Sequence, residues 1–122
     1  KMPTEFVSDL KSHGSDINET EEMISSIGTA DVIYMTRIQK ERFPDEDEYN
    51  KVAGVYKLDA SDLVDAKKEM IIMHPLPRVN ELHPSVDSTE HAKYFRQAFN
   101  GVPTRMALLC RGLEIKIPKK VK

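Results

Sequence analysis

The apolar positions of the chain change period several times along its length. Phe6, Val7 and Leu10 are spaced for one face of a helix, with Pro3 suited to its first turn and Gly14 to its end. A brief strand is expected at 15–18. Met23, Ile24 and Ile27 again share a helical face, which predicts a second helix over 20–27 that stops at Gly28.

The period then disappears. Val32-Ile33-Tyr34-Met35 is an uninterrupted apolar run between Asp31 and Thr36-Arg37, the pattern of a strand buried on both faces of a sheet. Met70-Ile71-Ile72-Met73 repeats the pattern and ends in His74-Pro75-Leu76-Pro77-Arg78, where two prolines preclude regular strand pairing. Between the two runs, the charged stretch 40–50 reads as a solvated, mobile loop. Residues 55–58 suggest another strand, and Asp59 or Ser61 suits the cap of a helix reaching about Lys67. Ser88-Thr89-Glu90 is a plausible cap for a long helical pattern through Tyr94, Phe95 and Ala98, interrupted at Asn100-Gly101-Val102-Pro103 and resumed through Leu113. The tail 116–122 is basic and reads as loose.

Helices alternating with buried strands predict an α/β fold, a parallel sheet covered on both faces in three αβα layers of Rossmann-like type. Such sheets bind ligands in the crevice beyond the carboxyl ends of their strands. Thr36-Arg37 and His74-Pro75 both emerge at that edge.

A length of 122 residues suits one domain, and 39% hydrophobic with 31% charged residues are globular proportions. No apolar run approaches the roughly 20 residues of a membrane-spanning helix. Eighteen Lys and Arg against 20 Asp and Glu leave a net charge of -2, so composition offers no pull toward nucleic acid or an acidic membrane. An anionic ligand would need a local site. The single Cys110 lies in an apolar run and reads as a small buried hydrophobe; with no secretory pattern at the start of the chain, a cytoplasmic location is expected.

Arg37 and Gln39, two apart beyond a buried strand, can point the same way into the crevice. A guanidinium beside an amide suits a ligand that bears carboxylate and amino groups together, because the arginine fork matches a carboxylate at two points; an arginine paired to surface acids is the alternative. Glu41 and Glu81 are candidates to hold Arg37, or else ordinary surface charges. In His74-Pro75-Leu76-Pro77-Arg78 the bend leaves carbonyl oxygens without strand partners, free to accept from a ligand's amino group. No carboxylate or second histidine stands at metal-ligand or triad spacing from His74, so a role in shape is favoured over proton transfer. His13, His83 and His91 are scattered and read as surface or capping residues. There is no phosphate-binding glycine loop, paired cysteine, zinc-protease or serine-hydrolase motif.

Asp31-Val32-Ile33-Tyr34-Met35-Thr36-Arg37-Ile38-Gln39-Lys40-Glu41-Arg42 and His74-Pro75-Leu76-Pro77-Arg78-Val79-Asn80-Glu81 resemble, in order, two signature segments of the aspartate carbamoyltransferases. The similarity continues through Ala60-Ser61-Asp62-Leu63, Tyr94-Phe95-Arg96-Gln97-Ala98, Asn100-Gly101 and Arg105-Met106-Ala107-Leu108-Leu109. Ornithine carbamoyltransferases share the architecture but usually carry Cys where Pro75 stands.

The resemblance implies that Arg37 binds a carboxylate of L-aspartate, that Gln39 helps fix its amino side, and that Glu41 and Glu81 orient Arg37. The Pro75 and Leu76 carbonyls would meet the carbamoyl and amino nitrogens, with Leu76-Pro77 cis and with His74, Pro77, Arg78 and Arg105 in support. The stretch 40–50 would close over substrate. It also implies transfer of a carbamoyl group from carbamoyl phosphate without metal or organic cofactor, in a homotrimer. The Ser-Thr-Arg-Thr phosphate motif of the family is not among these residues. The expectation is therefore one aspartate-binding domain over 1–122 without its carbamoyl-phosphate domain, inactive alone, with Ala98, Val102, Met106 and Leu109 partly uncovered.

Overall fold

The two apolar runs do become strands, and they pair. In the computed structural model, which describes residues 2–39, 42–52 and 56–116, β1 (Val32–Tyr34) lies parallel to β2 (Ile71–Met73). The register sets Val32 opposite Ile71, Ile33 opposite Ile72 and Tyr34 opposite Met73. Flanking bonds extend the ladder, from the Ile71 amide to the Asp31 carbonyl at 3.0 Å and from the Met35 amide to the Met73 carbonyl at 2.9 Å. On the other side of β2, Ile72 donates to the His91 carbonyl at 2.8 Å and accepts from the Lys93 amide at 3.0 Å. Ile72 is thus bonded on both edges and wholly buried.

Around this pair run α1 (Thr4–Ser12), α2 (Met23–Ile27), α3 (Glu46–Val52) and α4 (Tyr94–Gly112), with 3-10 turns at Ala60–Leu63 and Pro84–Ser88. The core comprises Ile27 from α2, Met35, Leu58, Leu63, Met70, Ile72, Leu82, Val86 and Tyr94 at the start of α4. Parallel strands with helices between them give the predicted α/β class. Its covering layers are uneven: α1 buries no residue, and Val32 and Tyr34 are 52% and 51% exposed. The expectation that β1 is buried on both faces therefore fails, since no described element covers those two side chains. Along α4, Val102, Met106 and Leu109 are exposed, as is Ala98, in line with the uncovered face expected there. Cys110 on the same helix is only half-buried.

Local chemistry accounts for most departures from the predicted elements. Residues 15–18 form no strand, and α2 begins at Met23 after Thr20 accepts from the Glu22 amide. The charged stretch is in part a helix. Asp45 Oδ1 accepts from the Glu48 amide at 2.8 Å, and Glu46, Asp47 and Glu48 fill a first turn whose exposed amides favour negative charge. Leu58 makes a single bridge to Leu82 instead of lying in a longer strand, and Val55 is outside the described residues. Asp59 does cap, by a reciprocal box with Asp62, but the turn ends at Leu63 with Val64 exposed.

Ser88 ends a 3-10 turn, and α4 starts later, after Lys93, with no side-chain cap. It then runs through Asn100-Gly101-Val102-Pro103 without interruption. Pro103 lacks the donor for the Phe99 carbonyl. That part of the helix faces solvent, with Phe99 70% exposed, so water can take the orphaned acceptor. Thr104 Oγ1 satisfies the next carbonyl, on Asn100, at 2.7 Å.

Candidate functional site

Beyond Tyr34 and Met73 the two strands continue into the predicted crevice segments. Thr36, Arg37, Ile38, Gln39, Arg42 and Phe43 surround a cavity of about 500 Å³. Arg37 is exposed and Gln39 half-buried, so a guanidinium and an amide do meet one open space. Phe43 stacks edge-on against Tyr49 at 5.8 Å, which ties the turn after this segment to α3. Glu41 is outside the described residues.

The proline loop is built from within. The Leu76-Pro77 peptide is cis, as expected, and Leu76 has a φ of 47°, a left-handed conformation unusual for a residue with a side chain. His74 is fully buried and uses both ring nitrogens: Nδ1 accepts from the Leu76 amide at 2.8 Å, and Nε2 lies 2.7 Å from Glu81 Oε1. An acceptor at Nδ1 places the ring proton at Nε2, so His74 donates to Glu81. The Glu81 carboxylate also accepts from the Val79 amide at 3.2 Å and the Asn80 amide at 3.1 Å. Burial acts to raise the Glu81 pKa, but hydrogen bonds from the surrounding main chain and from His74 more than offset it and hold it below its ordinary value.

This arrangement corrects one reading of the sequence. A carboxylate does reach His74, from seven residues along the chain, because the loop folds back on itself. Glu81 is engaged by His74 and by the loop amides of Val79 and Asn80. With both nitrogens occupied inside the protein, His74 holds shape and leaves the Pro75 and Leu76 segment facing outward, Pro75 exposed and Leu76 half-buried.

Arg78 is tied into the fold. Its two terminal nitrogens grip both oxygens of Asp87, the second at 2.7 Å, while the Tyr94 hydroxyl donates to the same carboxylate. Arg78's hydrogen bonds hold the Asp87 carboxyl down to about 2. Burial, followed by the bond to Asp87, pushes the Tyr94 hydroxyl up to about 12. The network anchors the far end of the proline loop to the 3-10 turn Pro84–Ser88 and to α4.

Arg105 lies elsewhere, exposed in a cleft of about 750 Å³ between α4 and β2 that Lys93, Arg96 and Gln97 also line. The cavity around Arg37 and Gln39 does not extend to Arg105, Pro75 or Leu76. Sequence reasoning overlooked Gln97, whose side chain bonds both crevice segments, and Asp87, the anchor of Arg78. Gln97 stood within a stretch already noted for its resemblance, whereas Asp87 carried no distinguishing signal. His83, read as a surface or capping residue, does cap, its Nδ1 accepting from the Ser85 amide at 3.2 Å.

Comparison with known proteins agrees with this geometry. Residues 2–111 match the family described as aspartate/ornithine carbamoyltransferase, Asp/Orn binding domain. The aspartate carbamoyltransferase catalytic subunit of Thermococcus gammatolerans is 54% identical over 109 residues, 89% of this chain and 35% of that protein. Its counterpart in Archaeoglobus fulgidus is 66% identical over 89 residues, 73% of this chain and 29% of that protein. Among solved structures, the catalytic subunit of M. jannaschii aspartate transcarbamoylase superposes with a TM-score of 0.82 at 46% identity, over 93% of this chain and 38% of the other. Aspartate transcarbamoylase from Trypanosoma cruzi in complex with carbamoyl aspartate and phosphate superposes with a TM-score of 0.77 at 36% identity, over 88% of this chain and 36% of the other. The chain thus spans about a third of the length of these relatives, and it belongs to the aspartate/ornithine carbamoyltransferase family, as an Asp/Orn-binding domain of the aspartate carbamoyltransferase type.

Proposed function

We propose that this chain supplies the L-aspartate half of a carbamoyltransferase active site, the carbamoyl-phosphate half lying in a domain outside these residues. The observation that carries the reading is the juxtaposition at the carboxyl ends of β1 and β2. An arginine and an amide border one cavity there, beside a loop whose prolines and buried His74–Glu81 pair present the main chain of Pro75 and Leu76 outward.

In this reading Arg37 takes a carboxylate of aspartate through its donor fork, and Gln39 meets the amino side. The Pro75 and Leu76 carbonyls accept from the nitrogens of the amino acid and the carbamoyl group. The aspartate amine attacks the carbamoyl carbon of carbamoyl phosphate, the carbon–oxygen bond to phosphate breaks, and the amine releases a proton. Carbamoyl aspartate and phosphate result. The protein's contribution is to hold the two reactants in line and stabilise the developing charge, which requires both half-sites to face each other. Domain 1–122 alone is therefore inactive, and the complete enzyme is a cytoplasmic homotrimer of pyrimidine synthesis.

The test is Arg37→Ala in the complete enzyme. Loss of a charged, two-point contact raises the aspartate KM by roughly 10- to 100-fold, with the KM for carbamoyl phosphate unchanged. An unaltered aspartate KM refutes the assignment. A stand-alone dicarboxylate-binding module is the competing reading. Titration calorimetry separates the two, because tight binding of aspartate by residues 1–122 without carbamoyl phosphate would favour the module.

A further inference from the structure

The two substrate segments leave the sheet side by side and then part. Among the described residues their last shared main-chain rung is the Met35 amide on the Met73 carbonyl. One residue later, Thr36 continues toward Arg37 and Gln39 while His74 enters the proline loop. The His74 amide has lost its strand neighbour and donates instead to Gln97 Oε1 at 3.0 Å. From the other arm of the same side chain, Gln97 Nε2 donates to the Tyr34 hydroxyl at 3.1 Å. Gln97 belongs to α4 and is half-buried at the edge of the cleft against β2. A single amide, held on a 19-residue helix, therefore ties the end of β1 to the end of β2 at the level where the crevice opens.

We propose that Gln97 is a positioning residue that sets the spacing of the Arg37–Gln39 segment from the Pro75 and Leu76 carbonyls, and through it the affinity for the amino-acid substrate. This rests on the aspartate reading above. A ligand held by both segments at once is sensitive to their separation, because a hydrogen bond weakens steeply once donor and acceptor move beyond about 3.2 Å, so parting the segments loosens one set of contacts or the other. Glutamine fits the task because its planar amide offers an acceptor and a donor on one rigid group. Methionine has similar length but makes neither bond. Glutamate makes both, because its carboxylate accepts from the His74 amide and the Tyr34 hydroxyl can turn to donate.

Those chemical differences define the experiment. Gln97→Met, Gln97→Glu and Tyr34→Phe are made in the complete catalytic subunit containing this chain, with Arg37→Ala alongside. Aspartate KM, carbamoyl-phosphate KM, kcat and thermal midpoint are recorded for each. Gln97→Met is expected to raise the aspartate KM roughly five- to tenfold, in keeping with the loss of one or two hydrogen bonds. Carbamoyl-phosphate KM changes less, within about twofold, because that substrate meets the proline loop alone and is not held by both segments, while kcat falls to the extent that the two reactants are misplaced. Tyr34→Phe, which removes one exposed hydroxyl and does not threaten folding, gives a smaller rise, and Gln97→Glu restores the wild-type KM. The proposal is overturned if Gln97→Met lowers the thermal midpoint while leaving aspartate KM unchanged, if both substrates are affected equally, or if Glu rescues no better than Met. Should Arg37→Ala also leave aspartate KM unchanged, the aspartate reading itself fails; a normal Arg37 effect beside a flat Gln97 response sinks only the positioning role.

Discussion

Replacing Glu81 by alanine removes the one acceptor that His74 Nε2 has in a buried site. The Glu81 side chain is 5% exposed and the His74 ring 0%, so no water takes over at the ring without the loop opening. Stranding that donor costs about 1–3 kcal/mol. The Val79 and Asn80 amides also lose their acceptor, but these residues are exposed and can turn to water, adding about 0.5 kcal/mol each at most. The total is about 1–4 kcal/mol, or on the order of 10 °C in thermal midpoint for a chain of this size. Glu81→Gln keeps one carbonyl oxygen for His74 but turns its NH2 toward the loop amides, so about half that loss is expected. Urea denaturation at constant temperature provides the assay, with the midpoint falling and the slope unchanged.

Acid adds an independent check. The folded pKa of Glu81 is held below its ordinary value of 4.5, so the carboxylate's contribution is complete above that pH and is lost as pH falls through the folded pKa. The stability gap between wild type and Glu81→Gln should thus be flat from pH 7 to 5 and narrow below about 4.5. Equal midpoints for wild type and Glu81→Ala at pH 7, or a gap that persists unchanged into acid, would refute the role of the pair.

Two further substitutions probe the supports of the loop and of α4. Asp87→Asn leaves Arg78 with one oxygen acceptor and no charge partner, and is expected to cost about 1–2 kcal/mol in urea denaturation at pH 7. Because the Asp87 carboxyl is held down to about 2, that gap should hold above its ordinary 3.8 and close as pH falls toward 2; a gap independent of pH would contradict the ion pair. Gly101→Ala places a Cβ 2.6 Å from Arg105 Nη1, the mobile end of a long side chain. The guanidinium should move aside, visible as a shift of its NMR signal, while better helix propensity leaves the thermal midpoint equal or higher. A loss above about 1 kcal/mol would mean that Arg105 is rigidly held in the cleft.

Much of the fold was legible wherever local chemistry and packing demanded the same thing. Val32-Ile33-Tyr34 and Ile71-Ile72-Met73 are apolar and mostly β-branched, bounded by polar and proline residues, and parallel strands follow from that pattern. The same runs located the crevice, because polar residues at the carboxyl ends of buried strands have few other uses. The prolines predict an irregular loop in place of a strand, and one is found there. Local reading was least secure where one signal opposed another: acidic residues at 45–48 suggested solvated coil and in fact suit a helix N-terminus, while Pro103 suggested a break that an exposed helix tolerates.

Other features belonged to tertiary structure alone. Glu81 meets His74 only because the loop between them turns back, and Gln97 joins Tyr34 to His74 across 63 and 23 residues, respectively, only because α4 crosses the ends of both strands. Arg78 was expected only in a supporting role, and its partner, Asp87, stands nine residues away with no signal in the sequence to mark it. Residue type, periodicity and motif thus determined the family, the parallel strands and the segments that leave their carboxyl ends. Which polar groups pair inside those segments depended on the path of the chain, because a side-chain hydrogen bond acts over about 3 Å and a linear pattern carries no information about distances through space.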